Sequence, residues 1–322
     1  MRVHANDGLS AKAKSSLVEE GFAVTADHIP QEQLAEFINK ERIDVLLVRS
    51  ATKVRRDLID ACPTLKLVGR GGVGMDNIDV AHAKGRGIAV INTPASSSIS
   101  VAELVMAHLF TLMRSLHKAN RRMPGEGRTR FKDLKKEYEK GLELRGKTLG
   151  VIGFGRIGQW TARYALGCGM TVIYTDNHAT ADALDMEIGG TTVRVPVKMV
   201  TLEELLAQSD AISLHVPAQK DGRAVLGAQE LAKVKPGAVI VNTARGGSID
   251  EDALIAALRE GRLRGAALDV FTNEPEPRAD LLGEDALSLS PHIGAATAEA
   301  QGRIGDELAE RIIAWRSAAT VA

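Results

Sequence analysis

Aromatic residues are scarce, at 3% of the 322 residues, and there are only two cysteines. So few rings leave little material for the stacking platforms that bind single-stranded nucleic acid. Cys62 and Cys168 stand far apart with no Cys-x-x-Cys pair, which argues against a disulfide framework and a cysteine-built zinc site. Neither sign of charge is in excess, since 41 basic residues balance 41 acidic ones. Nucleic-acid binders usually carry a basic surplus. No apolar run is long enough to cross a bilayer. The opening Met1-Arg2-Val3-His4-Ala5-Asn6-Asp7-Gly8 is too polar for a secretory leader, and no asparagine opens a glycosylation sequon. A cytoplasmic protein without metal, membrane or nucleic-acid partner is expected.

What is present is ordinary globular usage, with 44% apolar and 25% charged residues. At roughly 150 residues per domain, the length suggests two domains. Short apolar runs at residues 2–6, 44–49, 65–69 and 88–91 alternate with helical patterns, such as residues 10–20. Strands separated by helices imply right-handed crossovers and a parallel sheet. Residues 98–117 read as one long helix, and the charged residues 123–141 as an exposed connection with some helix. A second series follows, with strands at 148–153, 171–174, 210–215, 238–241, 266–269 and 287–290. Residues 156–166 and 297–315 read as helices.

Gly153-Phe154-Gly155-Arg156-Ile157-Gly158 fits the pattern Gly-x-Gly-x-x-Gly between a strand and a helix. The first glycine permits a tight turn, the second lets a pyrophosphate approach the backbone, and the third lets helix pack on strand. The helix N-terminus offers free N–H groups to phosphate. Asp176 ends the next strand, where a carboxylate accepts hydrogen bonds from ribose hydroxyls and repels a 2′-phosphate, favouring NAD over NADP. Gly141-Leu142-Glu143-Leu144-Arg145-Gly146-Lys147-Thr148 matches a nucleotide P-loop by letter only. It precedes a strand where a P-loop must precede a helix.

Three groups follow strands of the second series: Arg245 in Asn242-Thr243-Ala244-Arg245-Gly246-Gly247, Glu274 in Phe271-Thr272-Asn273-Glu274-Pro275, and His292 in Ser290-Pro291-His292-Ile293-Gly294-Ala295. The carboxyl edge of a parallel sheet is where such folds bind ligands. Guanidinium, carboxylate and imidazole together suit chemistry on a small 2-oxo or 2-hydroxy acid. Singly, each reads as an ordinary loop residue.

This set resembles the D-isomer-specific 2-hydroxyacid dehydrogenases, and within them the members that oxidise 3-phosphoglycerate. The finer likeness rests on Val48-Arg49-Ser50-Ala51-Thr52-Lys53-Val54, on Gly69-Arg70-Gly71-Gly72-Val73-Gly74-Met75-Asp76-Asn77-Ile78-Asp79, on Asn92-Thr93-Pro94, and on the segments around Glu274 and His292. The resemblance implies an α/β protein of two Rossmann-like, doubly wound parallel-sheet domains with a cleft between them. It implies a discontinuous substrate-binding domain, residues 1–97 and 291–322, and an NAD-binding Rossmann domain, residues 98–290. His292 would be the acid/base, paired with Glu274, and Arg245 would bind the substrate. Gly72, Val73 and Gly74 would offer backbone N–H groups to its carboxylate, and Arg49 with Lys53 would meet its phosphate. Cofactor contacts would come from Val73, Gly153, Gly155, Arg156, Ile157, Gly158, Asp176, His215, Val216, Pro217, Thr243, Ala244, Arg245, Asp269, His292, Gly294 and Ala295.

The implied reaction is NAD-dependent oxidation of 3-phosphoglycerate to 3-phosphohydroxypyruvate, the entry to serine synthesis. A glyoxylate or hydroxypyruvate reductase is the close alternative, and an NAD-sensing corepressor-like binding protein a remote one. A homodimer using the long helix region is implied. Many relatives place a tryptophan near residues 128–140, where this chain has Phe131-Lys132-Asp133-Leu134-Lys135-Lys136. Longer relatives carry a serine-binding C-terminal domain. The chain reaches Ala322 soon after its last helix, so feedback by that route is not expected.

Overall fold

A computed structural model describes residues 1–219 and 221–321. Ala322, the last residue of the expected C-terminal segment, lies outside the described residues. The first half of the chain runs β1 (Arg2–Ala5), α1 (Ala11–Glu19), β2 (Ala23–Thr25), α2 (Gln31–Lys40), β3 (Val45–Val48), α3 (Arg56–Ala61), β4 (Leu67–Arg70), α4 (Val80–Gly85), β5 (Ala89–Asn92), α5 (Ser98–Met113) and α6 (Leu116–Tyr138). It continues with β6 (Thr148–Ile152), α7 (Arg156–Gly167), β7 (Thr171–Thr175), β8 (Ala183–Ile188), β9 (Thr191–Pro196), β10 (Lys198–Met199), α8 (Leu202–Gln208), β11 (Ala211–Leu214) and α9 (Ala228–Leu231). The last part is β12 (Val239–Asn242), α10 (Glu251–Arg259), β13 (Gly265–Leu268), α11 (Ala279–Leu282), β14 (Leu287–Leu289) and α12 (Ala298–Val321). Two compact units result: residues 1–98 with 295–322, and residues 99–294.

The first unit holds a five-stranded parallel sheet in the order β2-β1-β3-β4-β5. Its strands are apolar on both faces, as parallel strands flanked by helices must be. In β3, Val45 and Leu47 pack with Val3, Leu17 and Leu67 on one face, where Ala309 and Ile312 of α12 complete the layer. Leu46 and Val48 pack with Leu34, Ile38, Leu58 and Val68 on the other. The C-terminal helix is therefore part of this unit's core. A Cβ at Gly305 of α12 would stand 3.1 Å from that of Ala13, so the two helices cross closely.

The second unit holds a seven-stranded parallel sheet in the order β10-β7-β6-β11-β12-β13-β14. It is the dinucleotide-binding order with one strand added beyond the last. Strand order reverses between β6 and β11, which pair in register from Leu149 and Ala211 to Ile152 and Leu214. In β12, Val239 and Val241 face the layer of α5 and α7, while Ile240 faces that of α8 and α10.

Three features differ from the sequence reading. The long helix stops at Met113, and Ser115 turns the chain through a left-handed conformation (φ 52°). The segment read as an exposed connection with some helix is helical through to Tyr138, as part of α6, which holds Pro124 inside it and a local break at Arg130. Its exposed face is tied by charge: Arg122 grips Glu126 with Nε and Nη2 at 2.8 and 2.9 Å, and Glu126 also receives Arg130 at 2.6 Å. Such i,i+4 pairs support a helix that propensity alone disfavours. The junction expected after residue 290 lies after Gly294. The Asp269 carboxylate takes the N–H groups of Ile293 and Gly294 at 2.8 and 2.9 Å, which keeps that turn with the second sheet.

A β8–β9 hairpin, not anticipated, turns through Gly189 and Gly190, both at positive φ. Among the described residues no single helix is long and apolar enough to cross a membrane. α5 and α6 together pass by length and composition but are bent by 62°.

Candidate active site

The glycine loop lies where the second sheet reverses its strand order. Gly153 sits at φ +92°, and a Cβ there would come within 2.7 Å of the His215 carbonyl oxygen on the loop after β11. Only glycine meets both demands. A Cβ on Gly158 would lie 2.2 Å from Gly153 O, so α7 approaches its strand closely. Nothing stands within 4 Å of the Cβ position of Gly155, which caps α7 without a side-chain hydrogen bond. Arg156, Ile157 and Gly158 thus form a first helical turn with open space before it.

Asp176 follows β7. Burial pulls its carboxyl upward, but the N–H groups of Ala179, His178 and Phe154 outweigh that and hold it below its usual range. It is an anion ready for hydroxyl donors. His215, Val216 and Pro217 follow β11. Burial pushes the His215 imidazole down to about 3, so it is neutral, with Nε2 at 2.9 Å from Ser213 Oγ. Thr243 Oγ1, after β12, is buried with no hydrogen-bond partner among the described residues. The open helix terminus, the carboxylate beyond the second strand and this orphaned hydroxyl fit a bound dinucleotide without a 2′-phosphate.

Arg245, Glu274 and His292 follow β12, β13 and β14, three adjacent strands whose register aligns Asn242 with Leu268 and Leu268 with Leu289. The sheet therefore delivers all three to one carboxyl edge. His292 Nδ1 stands 2.7 Å from Glu274 Oε2. A carboxylate can only accept, so Nδ1 carries the hydrogen, and whenever the ring is neutral its lone pair is on Nε2. Glu274 Oε1 is fixed by the Phe271 N–H at 2.9 Å. The pair is open to solvent, with 49% of the His292 side chain and 35% of Glu274 exposed. Arg245 Nη1 donates to Ala244 O at 2.6 Å, which sets the direction of the guanidinium. Asp269, almost fully buried, accepts from Ser290 Oγ at 2.7 Å and from Ile293 and Gly294.

In the first unit, Arg49 follows β3 at the point where strand order reverses between β1 and β3. Sequence reasoning missed what holds its loop. Asp7 accepts from Arg49 N at 2.6 Å, from Thr52 N at 3.2 Å and from Thr52 Oγ1 at 2.7 Å. Asn77 Nδ2 donates to the carbonyls of Arg49 and Thr52 at 2.6 and 2.7 Å. The Arg49 guanidinium is half-buried and, among the described residues, forms no ion pair. Burial works against its charge, partly offset by Asp7. Lys53 is exposed, its backbone bonded at both ends to the Gln31 amide at 2.9 Å.

In the loop after β4, Gly72 gives its N–H to Thr93 Oγ1 at 2.7 Å. Gly72 itself lies at φ +140° under the Arg70 side chain, whose Nη1 would be 1.8 Å from an added Cβ. Ala295 opens the C-terminal segment, and its carbonyl accepts from Gln301 Nε2 at 2.9 Å. The string beginning at Gly141 lies between α6 and β6 with no helix after it, as a P-loop would need.

Known proteins match this arrangement. Residues 106–294 match the profile of the D-isomer specific 2-hydroxyacid dehydrogenase, NAD binding domain. The chain is 45% identical to a hydroxypyruvate reductase of Thermotoga maritima over 97% of both chains. It is 42% identical to a D-3-phosphoglycerate dehydrogenase of Methanocaldococcus jannaschii over 97% of its own length and 57% of that relative's, so it spans little more than half of that protein. The structure of a glyoxylate reductase from Paecilomyes thermophila superposes with TM-score 0.81 at 29% identity, covering 97% and 94% of the two chains. With the dinucleotide loop, the edge-aligned strands and these matches in place, the chain belongs to the D-isomer-specific 2-hydroxyacid dehydrogenase family, NAD-dependent oxidoreductases acting on a CH–OH group.

Proposed function

We propose that the enzyme is a D-3-phosphoglycerate dehydrogenase, interconverting 3-phosphoglycerate and 3-phosphohydroxypyruvate with NAD. The observation that carries this choice is Arg49. Among the described residues this half-buried guanidinium forms no ion pair, and Asp7 offsets only part of the cost of its burial, so a ligand anion such as a phosphate dianion would complete it. Exposed Lys53 adds charge along the same loop.

Bound NAD supplies the hydride acceptor, C4 of its nicotinamide. In oxidation, His292 Nε2 takes the proton of the C2 hydroxyl while the C2 hydride leaves. In reduction, the protonated imidazole returns it to the carbonyl oxygen. Glu274 holds the ring by its Nδ1–H and faces the imidazolium that forms. Arg245 clamps the substrate carboxylate, together with the N–H groups of Val73 and Gly74. Asp269 receives the nicotinamide carboxamide. The glycine loop and first turn of α7 take the pyrophosphate, and Asp176 takes the ribose hydroxyls.

A second reading, hydroxypyruvate reductase, is favoured by the 45% identity that runs the length of both chains. Catalytic efficiencies with phosphohydroxypyruvate, hydroxypyruvate and glyoxylate, each with NADH, separate the two. Arg49→Ala should raise KM for the phosphorylated acid by about 10- to 100-fold, as expected for loss of a half-buried charge-assisted pair, and change that for hydroxypyruvate little. Equal effects on both would favour the second reading. Exposed Phe110, Leu116, Met123 and Phe131 on α5 and α6 support a homodimer.

A further inference from the structure

Within the second unit, a histidine that the mechanism above does not use sits in an apolar helix. His108 of α5 is flanked by buried Val105, Met106, Leu109 and Leu112, where an aliphatic side chain would pack as well. It is itself almost fully buried, yet both ring nitrogens are satisfied. Nδ1 is 3.0 Å from Ser288 Oγ, and Nε2 is 3.1 Å from Ser290 Oγ. Ser290 Oγ donates onward to Asp269 Oδ1 at 2.7 Å.

The chemistry of the last acceptor fixes every proton. A carboxylate only accepts, so the Ser290 hydrogen points at Asp269. His108 Nε2–H must then donate to Ser290 Oγ, and in the neutral ring Nδ1 accepts from the Ser288 hydroxyl. Burial, against the pull of Asp269, holds His108 below the usual imidazole range, consistent with this single neutral tautomer. The chain ends at the working loop. Asp269 Oδ1 also takes the Ile293 N–H, Oδ2 takes that of Gly294, and the His292 N–H donates to Ser290 O at 3.1 Å.

We propose that His108 is a positioning residue for the reaction: through Ser290 it orients the Asp269 carboxylate and the turn carrying His292. The N–H of His108 locks the Ser290 rotamer and polarises its hydroxyl toward Asp269. Without that donor the hydroxyl can turn among its staggered positions, and the carboxylate loses one of its fixed partners. The proposal rests on the assignment of Asp269 and His292 given above.

The test compares His108→Leu, Ser290→Ala, their double variant and Ser288→Ala in the full chain. The readouts are steady-state kinetics with NADH and hydroxypyruvate, NADH binding by fluorescence, and melting temperature. His108→Leu and Ser290→Ala should each lower kcat/KM for NADH about tenfold, with KM for hydroxypyruvate changed less than about threefold. The double variant should lose no more than the worse single one, because the two act in series. Ser288→Ala removes a bond buried more deeply, on the far side of the ring, so it should lower the melting temperature and leave kcat/KM within about twofold.

A near-normal His108→Leu enzyme, multiplying losses, or a Ser288→Ala loss equal to that of Ser290→Ala would each overturn the proposal. If His108→Leu does not accumulate folded, the contrast between Ser290→Ala and Ser288→Ala decides alone. Failure of the underlying assignment looks different: His292→Asn would then retain turnover, whatever the His108 variants do.

Discussion

His292 holds its backbone at φ +54°, a conformation that side-chain-bearing residues other than Asn, Asp and His seldom adopt. The turn is imposed by Asp269, which collects the next two N–H groups. Asparagine tolerates the same backbone and cannot transfer a proton near neutrality, so His292→Asn isolates the chemistry from the fold. It should lower kcat by about 10²- to 10⁴-fold while NADH affinity stays within a few-fold, checked by steady-state assay and fluorescence titration. Near-normal turnover would remove His292 from the mechanism. At this scale the sequence was informative where a residue stands in a motif: His292, Glu274 and Gly153 were each legible. It was silent where a role depends on long-range contact. Nothing near His108 in the chain points to Ser288 and Ser290, and Asp7 reads as a surface acid until the sheet brings Arg49 beside it.

At the scale of elements, the two sheets share one device at the edge away from the ligand loops. Asp44, just before β3, accepts the Arg2 N–H that opens β1 at 2.8 Å and pairs with Lys66 at 2.7 Å. Asp210, just before β11, accepts the Thr148 N–H that opens β6 at 2.9 Å and pairs with Lys235 at 2.7 Å. Burial raises each carboxyl, but the lysine and the strand N–H outweigh it, so both titrate below the ordinary carboxyl range. Carboxyls depressed in the folded state stabilise it above their unfolded values and lose that contribution as pH falls through the folded ones. Melting temperature should therefore drop as pH falls below about 4, and Asp210→Asn should flatten part of that slope while costing roughly 1–3 kcal/mol at pH 7. A variant with the same acid slope as the parent would discount the clamp. Element types were mostly readable from apolar spacing. Helix α6 was readable only in part, because the charged pairs that hold it form only once the helix exists. The β8–β9 hairpin had a visible signal in Gly189-Gly190 between alternating runs.

At the scale of the whole molecule, the second unit is one uninterrupted stretch, and the first needs both ends of the chain. A fragment of residues 99–294 should melt cooperatively and bind NADH. Residues 1–98 alone should be poorly folded, because without α12 the layer around Leu17, Val45, Leu47 and Leu67 is uncovered. Calorimetry and NADH titration of the two fragments check this, and a cooperative melt from residues 1–98 would contradict it. Two α/β halves could be read from the sequence, but the contribution of the last helix to the first sheet came only from the family resemblance. Light scattering should give twice the chain mass, and a monomer that remains active would remove the dimer from the proposal.

The placement of α12 also bears on biosynthesis. A nascent chain leaving the ribosome presents β1 to β5 roughly two hundred residues before the helix that seals one side of them. The opening sheet must wait, half-naked, while the entire nucleotide-binding body is made. That interval is when chaperones would have their longest access to this polypeptide, and when a stalled or truncated product would be most prone to aggregate.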